Sequence, residues 1–217
     1  MVKFPTSELN DIEIVEGSLE ELKAFYPRFQ ADFAADELKD YEHLEILVGK
    51  KRYKFLLAKH KLSNEIVGYA FIYEIAQLKA LWLDYMAIVP EFRNGGYGSI
   101  FFNKIAEFKQ EGILGLFLEV EIPEETEGPT RAEQQRRISF YERLGAEKLA
   151  INYELPTKNG GFPMNLFFRP TTTIQVLPKG KIKEAILSAF EYIHSDVSNR
   201  EDILDKFLPS IGDEYLK

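Results

Sequence analysis

Apolar residues follow two patterns in the first part of the chain, one typical of strands and one typical of helices. Runs that are apolar throughout, or rich in aromatic and β-branched residues, are typical of strands. Four such runs come before Pro90, at residues 12–15, 53–58, 66–75 and 80–89. Apolar residues at helical spacing predict two helices between the first two of these strands. One follows the capping residue Ser18 and ends near Pro27, and the other spans about residues 32–48.

The fourth strand leads into a glycine-rich turn and a further helix. Residues 80–89 are nearly continuous in apolar side chains apart from Asp84, a pattern typical of a central strand covered on both faces. After Pro90 and three glycines, apolar residues recur at helical spacing over residues 100–108. The apolar run 114–122 predicts the next strand. A strand, helix, strand order of this kind predicts a right-handed crossover between two parallel strands.

The last third of the chain combines a helix, two strands and a helical tail. An acidic loop is predicted over residues 123–129, and a helix over residues 131–144 has Gly145 just after its end. The remaining elements are strands at residues 149–155 and 165–168, joined through 159–161, and helices at 182–193 and 203–208. This order predicts a mixed α/β fold, with a central twisted sheet of about six to seven strands flanked by helices. We expect one domain over residues 1–170 and a C-terminal helical extension over residues 171–217.

Composition narrows the class of protein. The 217 residues carry a formal net charge of −8 and no cysteine. Without cysteine the chain has no disulfide framework, no thiolate nucleophile and no Cys-ligated metal, so any acyl transfer must use other groups. An acidic surface repels the nucleic-acid backbone, and we expect no nucleic-acid partner. The histidines His43, His60 and His194 have no common ligand spacing, and no metal site is predicted.

The apolar runs and the N-terminus bear on the location of the protein. No uncharged apolar run approaches the roughly 20 residues that span a bilayer, so no membrane association is expected. Residues 1–17 are charged from the start and lack the apolar core and small-residue cleavage site of a secretory signal peptide. A cytoplasmic protein is the expectation.

The glycine-rich turn is the first feature that points to chemistry. It reads Arg93-Asn94-Gly95-Gly96-Tyr97-Gly98-Ser99 and precedes a helix. Backbone amides at the start of a helix, where the macrodipole adds partial positive charge, can bind a phosphate or a pyrophosphate. The spacing fits neither the Walker A motif, since no lysine follows Gly98, nor the Gly-x-Gly-x-x-Gly fingerprint of dinucleotide-binding folds. A purely structural turn between a strand and a helix stays open.

The residues around this turn resemble motif A of the GNAT acetyltransferase superfamily. The core of that motif is Gln/Arg-x-x-Gly-x-Gly/Ala after a strand and a proline, and Arg93, Gly96 and Gly98 fill it. A second similarity, to motif B of the same family, comprises Leu118-Glu119-Val120 and the segment 140–146. The two similarities occur in the order that the family shows.

The resemblance, which extends over about residues 12–169, implies a GNAT-like fold with acetyl-CoA as co-substrate. Strand backbone would pair with the pantetheine arm, and the amides of the turn would hold the pyrophosphate. The implied cofactor-binding residues are Met86, Ala87 and Ile88 on the strand, and Arg93, Asn94, Gly95, Gly96, Tyr97, Gly98 and Ser99 in the turn. Gln134 stands where similar members carry a cofactor-contacting asparagine, and its longer amide is expected to substitute.

Two residues match the catalytic positions of the family. Tyr141 matches a tyrosine that donates a proton to the departing CoA thiolate, although a tyrosine on an amphipathic helix can also serve packing alone. Glu119 matches a glutamate that acts as general base in members similar to the ribosomal-protein N-terminal acetyltransferases. A strand carboxylate with apolar neighbours can take a proton from an ammonium. The alternative is that Glu119 or Glu121 pairs with Arg136 or Arg137.

The implied function is an N-acetyltransferase that transfers an acetyl group from acetyl-CoA to a primary amine of a small molecule or peptide. The amine attacks directly in a ternary complex, because no protein thiol is available for an acyl relay. Asp84 and Glu121 are further candidates for the base, and five glutamates between Glu119 and Glu127 favour a cationic amine. The alternative is a catalytically silent acyl-CoA-binding or protein-interaction module of the same fold. The C-terminal helices would form a homodimer contact or cover a sheet edge.

Overall fold

The computed structural model describes residues 12–34, 37–108, 112–125 and 127–216. Within these ranges, strands and helices alternate along the chain. The strands are β1 (Ile12–Glu16), β2 (Tyr53–His60), β3 (Ile66–Ile75), β4 (Ala80–Ile88), β5 (Gly115–Glu121), β6 (Glu147–Lys148), β7 (Glu154–Thr157), β8 (Gly160–Pro170), β9 (Val176–Leu177) and β10 (Glu214–Tyr215). The helices are α1 (Leu19–Asp32), α2 (Tyr41–Val48), α3 (Tyr97–Ala106), α4 (Pro129–Arg143), α5 (Lys179–Tyr192) and α6 (Arg200–Phe207).

The chain divides into two compact units. The first comprises the described parts of Met1–Glu74 and Leu83–Lys109, and the second comprises those of Ile75–Trp82 and Gln110–Lys217. In both units the strand pairs are mostly antiparallel and helices accompany them, which confirms the predicted mixed α/β class. The predicted division into a domain over 1–170 and an extension over 171–217 stays a prediction.

Aromatic packing fixes α1 in the first unit. There β2 pairs antiparallel with β1 and with β3, and β4 lies beside β3. Phe29 of α1 is 1% exposed, and its ring meets Phe71 of β3 and Tyr85 of β4 edge-on, with centroids 5.5 and 4.8 Å apart. Burying a large apolar side chain contributes about 1.5–3 kcal/mol. These rings therefore hold α1 against β3 and β4.

Helix α1 is longer than the sequence predicts. It begins at the predicted cap, where Ser18 Oγ accepts a backbone amide of the first turn at 3.1 Å, but it passes Pro27 and ends at Asp32. A proline inside a helix removes one hydrogen bond and costs about 3 kcal/mol. Beyond it, Phe29 is buried and Arg28 pairs with Asp32 at 2.7 Å. Since these contacts offset the loss, the predicted end at Pro27 is wrong.

The predicted helix over residues 32–48 is correct only in its second half. Helix α2 begins at Tyr41, and Lys39 lies in a non-helical link that precedes it. Tyr26 of α1 donates to the Lys39 carbonyl at 3.2 Å, and Tyr85 donates to the Glu37 carbonyl. Because side chains satisfy these carbonyls, the link needs no helical hydrogen bonds to bury its backbone.

In the second unit, β8 pairs antiparallel with each of β5, β6 and β7. Strands β9 and β10 form a separate antiparallel pair. Trp82 stacks on Phe117 of β5 with ring centroids 5.8 Å apart, and Phe117 contacts Phe168 of β8 at 4.7 Å. Both predicted C-terminal helices are present as α5 and α6, and they bury Phe190 and Phe207 in the same unit.

The predicted strand over residues 149–155 is interrupted. Strand β7 begins only at Glu154, because the Ile151 amide donates to the Leu149 carbonyl at 2.9 Å and turns the chain before it. The apolar side chains that produce the strand pattern are nevertheless buried, with Leu149 and Tyr153 0% and 1% exposed. Burial follows the local pattern here, whereas the path of the backbone does not.

Candidate functional site

The glycine-rich turn joins β4 to α3 in the first unit. After the 3-10 turn Pro90–Phe92, Asn94 and Gly96 have positive φ angles of 63° and 84°. Gly96 is the N-cap of α3, and only glycine adopts this left-handed conformation without steric cost. The first amides of a helix have no acceptor within it, so the turn presents donors that suit an anion.

Arg93 is held by a charged cluster that the sequence pattern does not reveal. Its Nε donates to the Ile88 carbonyl at 2.8 Å, and its Nη2 donates to Asp32 at 2.8 Å. The Asp32 side chain is 3% exposed, and it also accepts from Arg28 at 2.7 Å and from Tyr69 at 2.9 Å. We call these four side chains, Arg28, Asp32, Tyr69 and Arg93, the Asp32 cluster. It ties the start of the turn to the end of α1.

Electrostatics within the Asp32 cluster keep Tyr69 and Arg28 protonated. Burial, together with the neighbouring Asp32 carboxylate, raises the pKa of the Tyr69 hydroxyl. The hydrogen bond to Asp32 likewise raises the pKa of Arg28. The carboxylate therefore keeps these two donors over the ordinary pH range.

The end of β4 contains the residues predicted to pair with the pantetheine arm. Met86, Ala87 and Ile88 are half-buried, whereas Ala80 to Leu83 at the start of the strand are buried. A Cβ added to Gly68 of β3 would lie 2.7 Å from the Ala87 carbonyl oxygen. A larger residue would force the two backbones apart. Gly68 therefore permits the close approach that shapes this end of β4.

Asp84, one of the further candidates for the base, belongs to a buried ion pair. Lys39 Nζ lies 3.1 Å from its carboxylate, and the two side chains are 8% and 2% exposed. Tyr53 also donates to Asp84, and Lys39 lies over the ring of Tyr85, 4.9 Å from the centroid. Breaking a buried pair leaves an uncompensated charge at high cost. The surroundings of Asp84 therefore suit a structural role that holds the link before α2.

The predicted base and proton donor both lie in the second unit. Glu119 is on β5, and its Oε1 accepts a hydrogen bond from the Tyr153 hydroxyl. Two positions further along β5, Glu121 pairs with Arg137 of α4. Arg137 thus neutralises one of the two glutamates with which the sequence allowed it to pair. The sequence pattern predicts Tyr153 only as an apolar position of a strand and gives no sign of its contact with Glu119.

Tyr141 is nearly enclosed near the end of α4. Its side chain is buried, and its ring lies 5.1 Å from that of Phe140. Burial raises the pKa of Tyr141 to about 12, Arg137 lowers it and Glu121 raises it. The hydroxyl therefore carries its proton at neutral pH and can donate it. Packing and proton donation are compatible at this position.

Gln134 and the acidic loop contact each other. The Gln134 Oε1 accepts the Glu124 amide at 2.9 Å. Arg131 donates to the carbonyls of Glu124 and Glu125 at 3.0 and 2.7 Å, and it pairs with Glu127 at 3.4 Å. Two side chains of α4 therefore fasten the loop that precedes this helix. The amide nitrogen of Gln134 is not part of these contacts.

The described residues also bear on whether the protein could bind a metal ion or cross a membrane. Among the described residues, no group of His, Asp and Glu side chains has an arrangement that would hold a metal ion. None of the helices in this part of the chain combines the length and apolar character needed to cross a membrane. His60 and His194 are buried in separate units.

A comparison with protein families matches residues 51–145 to the acetyltransferase (GNAT) domain. The matched range takes in the glycine-rich turn, Glu119 and Tyr141. Residues 51–145 therefore match a GNAT acetyltransferase domain, and the family of that domain uses acetyl-CoA.

Solved structures share the fold of this GNAT protein. A protein assigned to the GNAT family from Bacteroides thetaiotaomicron is 20% identical, with a TM-score of 0.65 over 83% of this chain and 98% of its own. A spermidine N-acetyltransferase SpeG chimera from Vibrio cholerae and hSSAT is 14% identical, with a TM-score of 0.57 over 74% and 95%. Arabidopsis thaliana NAA60, solved with acetyl-CoA, is 12% identical, with a TM-score of 0.56 over 74% and 98%. At these identities the likeness concerns the fold. Curated proteins give no match.

The residues that hold the site lie outside the matched GNAT range. Asp32 precedes that range and is 61 positions from Arg93. Tyr153 follows its end. Neither contact leaves a signal in a local pattern, because each joins residues that are distant along the chain.

Proposed function

We propose that this GNAT protein is an N-acetyltransferase that transfers the acetyl group of acetyl-CoA to a primary amine of a small molecule or a peptide. The glycine-rich turn at the start of α3, fixed by the Asp32 cluster, carries the proposal. It offers backbone donors at the positive end of a helix, and the pyrophosphate of acetyl-CoA is an anion of matching chemistry.

The residues of the turn and of β4 fit acetyl-CoA. Amides of residues 94–98 would hold the pyrophosphate, whereas those of Arg93 and Ser99 already donate to the carbonyls of Pro90 and Gly96. The Tyr97 side chain is buried, with its ring edge-on to Phe92 at 5.6 Å, so this residue offers its backbone. The half-buried end of β4, residues 86–88, would offer backbone groups to the amides of the pantetheine arm. Gln134 would contribute its amide nitrogen.

The transfer needs three proton movements that Glu119 and Tyr141 can perform. Acetyl-CoA supplies the acetyl group as a thioester. Glu119 takes a proton from the acceptor ammonium, which frees the nitrogen lone pair for attack on the acetyl carbon. Tyr141 donates its hydroxyl proton to the CoA sulfur as the carbon–sulfur bond breaks. The nitrogen, which carries a positive charge after the attack, gives up its second proton to the Tyr141 oxygen as the amide forms. Direct attack in a ternary complex is favoured, because the chain has no cysteine to carry an acyl group.

The acceptor that suits the second unit is a cationic amine. Glu119 and Glu121 are two positions apart on one strand and so share a face. Arg137 and Arg131 pair with Glu121 and Glu127, so the negative field is weaker than the count of five glutamates implies. Spermidine, the amine in the name of the SpeG acetyltransferase among the structural neighbours, is the first small amine to test.

Binding tests the role of the turn. Acetyl-CoA is expected to raise the melting temperature, since a ligand at 100 times its Kd stabilises the folded state by about 2.7 kcal/mol. Gly96→Leu is expected to abolish this shift by filling the space of the anion. Gly145→Leu is the matched control, because its φ of 83° imposes the same strain and a Cβ there meets nothing within 4 Å. An undiminished shift in Gly96→Leu contradicts the proposed site.

Turnover tests the chemistry. Release of CoA from acetyl-CoA is followed with a thiol reagent, and the chain adds no background because it has no cysteine. The acceptors are spermidine, L-lysine and a tetrapeptide with a free N-terminus. Release with at least one of them, and its loss in Glu119→Gln, supports the proposal. Binding of acetyl-CoA without release from any of them favours the catalytically silent module.

A further inference from the structure

The end of the chain holds a buried loop in place. Residues 149–153 connect β6 to β7, and we call them the Tyr153 segment. The Ala150 amide donates to Glu214 Oε1 at 2.8 Å, and the Asn152 amide donates to Ser210 Oγ at 3.2 Å. A loop that leaves the sheet needs such acceptors for its backbone N–H groups. The Tyr153 segment therefore owes its path to residues that follow α6.

Aromatic rings enclose the side chain of Tyr153. Its ring centroid lies 5.2 Å from Phe207 of α6 and 6.2 Å from Phe190 of α5, both in edge-on geometry. The ring centroid of Trp82 lies 6.3 Å away. Aromatic pairs at these distances and angles attract one another. Tyr153 is 1% exposed, and the rings of Phe190 and Phe207 beside it belong to the C-terminal helices.

The enclosed ring aims its hydroxyl at Glu119. Tyr153 donates a hydrogen bond to Glu119 Oε1. A tyrosine has two side-chain torsions, and packing of the ring restricts both of them. A carboxylate offers about four lone-pair sites on its two oxygens, so a bond to Oε1 can orient the group without using all of its capacity to accept protons.

We propose that Tyr153 is a positioning residue for Glu119, and that α5 and α6 hold it in that position. This inference rests on the proposed function for the role of Glu119 as the base. The C-terminal extension then sets the direction of the carboxylate that takes the proton. Misplacing a reacting group by about 1 Å can cost about 100-fold in rate. Loss of the contact should therefore slow turnover without weakening the binding of acetyl-CoA.

The hydroxyl is tested by Tyr153→Phe, which keeps the packed ring. With spermidine or the tetrapeptide, whichever is turned over, kcat is expected to fall about 10- to 100-fold while the KM for acetyl-CoA stays within about twofold. Tyr215→Phe is the control, because Tyr215 lies in the same unit and is 79% exposed. A wild-type kcat in Tyr153→Phe overturns the proposal.

The role of the helices is tested by Phe207→Leu. This change loosens the enclosure of Tyr153 and is expected to lower kcat about tenfold in the wild-type background, with no further fall in the Tyr153→Phe background. Phe162→Leu, at an exposed position of β8, is the control. Equal falls in the two backgrounds would show that Phe207 acts only through general stability, and they would overturn the role of the helices.

A measurement without turnover separates this proposal from the proposed function. Denaturant unfolding of Tyr153→Phe, Glu119→Leu and the double variant forms a cycle in which each single change removes the hydrogen bond, and a hydrogen bond to a charged acceptor predicts coupling of about tenfold in the unfolding equilibrium constant. Additive effects overturn the proposal at any rate of turnover. If Glu119→Gln turns over at the wild-type rate, Glu119 is not the base, and Tyr153 cannot act by positioning it. If Glu119→Gln is slow but Tyr153→Phe turns over at the wild-type rate, Glu119 can still be the base and only the positioning role of Tyr153 is wrong.

Discussion

The two units hold their functional residues by opposite means. In the first unit, ion pairs and hydrogen bonds of the Asp32 cluster fix Arg93 at the start of the turn. In the second, the hydroxyl of Tyr153 donates a hydrogen bond to Glu119, and aromatic packing holds this donor in place. Charged donors fix distance and direction through a few atoms, whereas packing fixes them through filled volume. Binding should therefore respond to changes of charge, and turnover to changes of shape as well.

Removing the base should separate the two regions most strongly. Glu119→Gln is expected to lower kcat about 10²- to 10⁴-fold, the usual contribution of general base catalysis. Its shift of melting temperature with acetyl-CoA should stay at the wild-type value, since the turn is unchanged. Glu184→Gln, at an exposed position of α5, is the control for loss of a carboxylate. A lost shift in Glu119→Gln would show that the two roles are not separable.

Breaking the buried pair tests how far the first unit depends on charge. Lys39→Met leaves Asp84 charged and buried, and the free energy of unfolding is expected to fall by about 3–5 kcal/mol. Replacing both partners, as Lys39→Met with Asp84→Leu, should recover much of this loss. Denaturant unfolding measures both variants, with the exposed Lys181→Met as control. If Lys39→Met lowers the free energy of unfolding by less than about 1 kcal/mol, the first unit does not depend on its buried charges more than the second unit does.

Alkaline pH tests the enclosure of Tyr141 in the second unit. Its pKa is about 12 in the folded protein and about 10 in an unfolded chain, so the folded state keeps a proton that the unfolded state loses. The stability from this difference is fully present below about pH 10 and is lost as the pH rises to about 12, up to roughly 3 kcal/mol. Unfolding across this window should be less pH-dependent in Tyr141→Phe than in wild type. The exposed Tyr215→Phe should follow wild type, and parallel curves for all three would place Tyr141 in contact with water.

Weakening the charged cluster should have the smallest effect. Asp32→Asn keeps the shape of the side chain but removes the charge that Arg93 meets at 2.8 Å. Loss of a charge-assisted hydrogen bond predicts a rise of about tenfold in the KM for acetyl-CoA with kcat unchanged. The exposed Asp205→Asn serves as control. A fall in kcat at constant KM would place the Asp32 cluster among the determinants of rate instead.

The helices, strands and turns that are set by a clear local pattern of apolar residues or glycines could be predicted from the sequence. Strands β2, β3 and β4 and the turn before α3 depend on residues that are neighbours along the chain, and their patterns contain that information. The glycine at 96 is required by a local backbone angle of 84°. For the same reason, Gly145 could be placed correctly after α4.

The features that could not be predicted depend on contacts between residues that are far apart in the sequence. Helix α1 passes Pro27 because Phe29 and Asp32 find partners on other elements. The strand pattern over 149–155 is interrupted by the turn at Ile151, and the amides on either side of it donate to side chains 64 and 58 positions further along the chain. Tyr153 reads as one more apolar position until its hydroxyl is seen beside Glu119. Local periodicity records burial but not the direction of a side chain.

The Tyr153 segment also gives the protein an order of assembly during synthesis. Its two acceptors, Ser210 and Glu214, follow the residues they bind by 58 and 64 positions. Chains emerge from the ribosome N-terminus first at about 5–20 residues per second, so every residue of the GNAT domain is made seconds before these acceptors. A nascent chain has the glycine-rich turn before it has the means to hold Tyr153. The segment can settle only after residues 210 and 214 have been made.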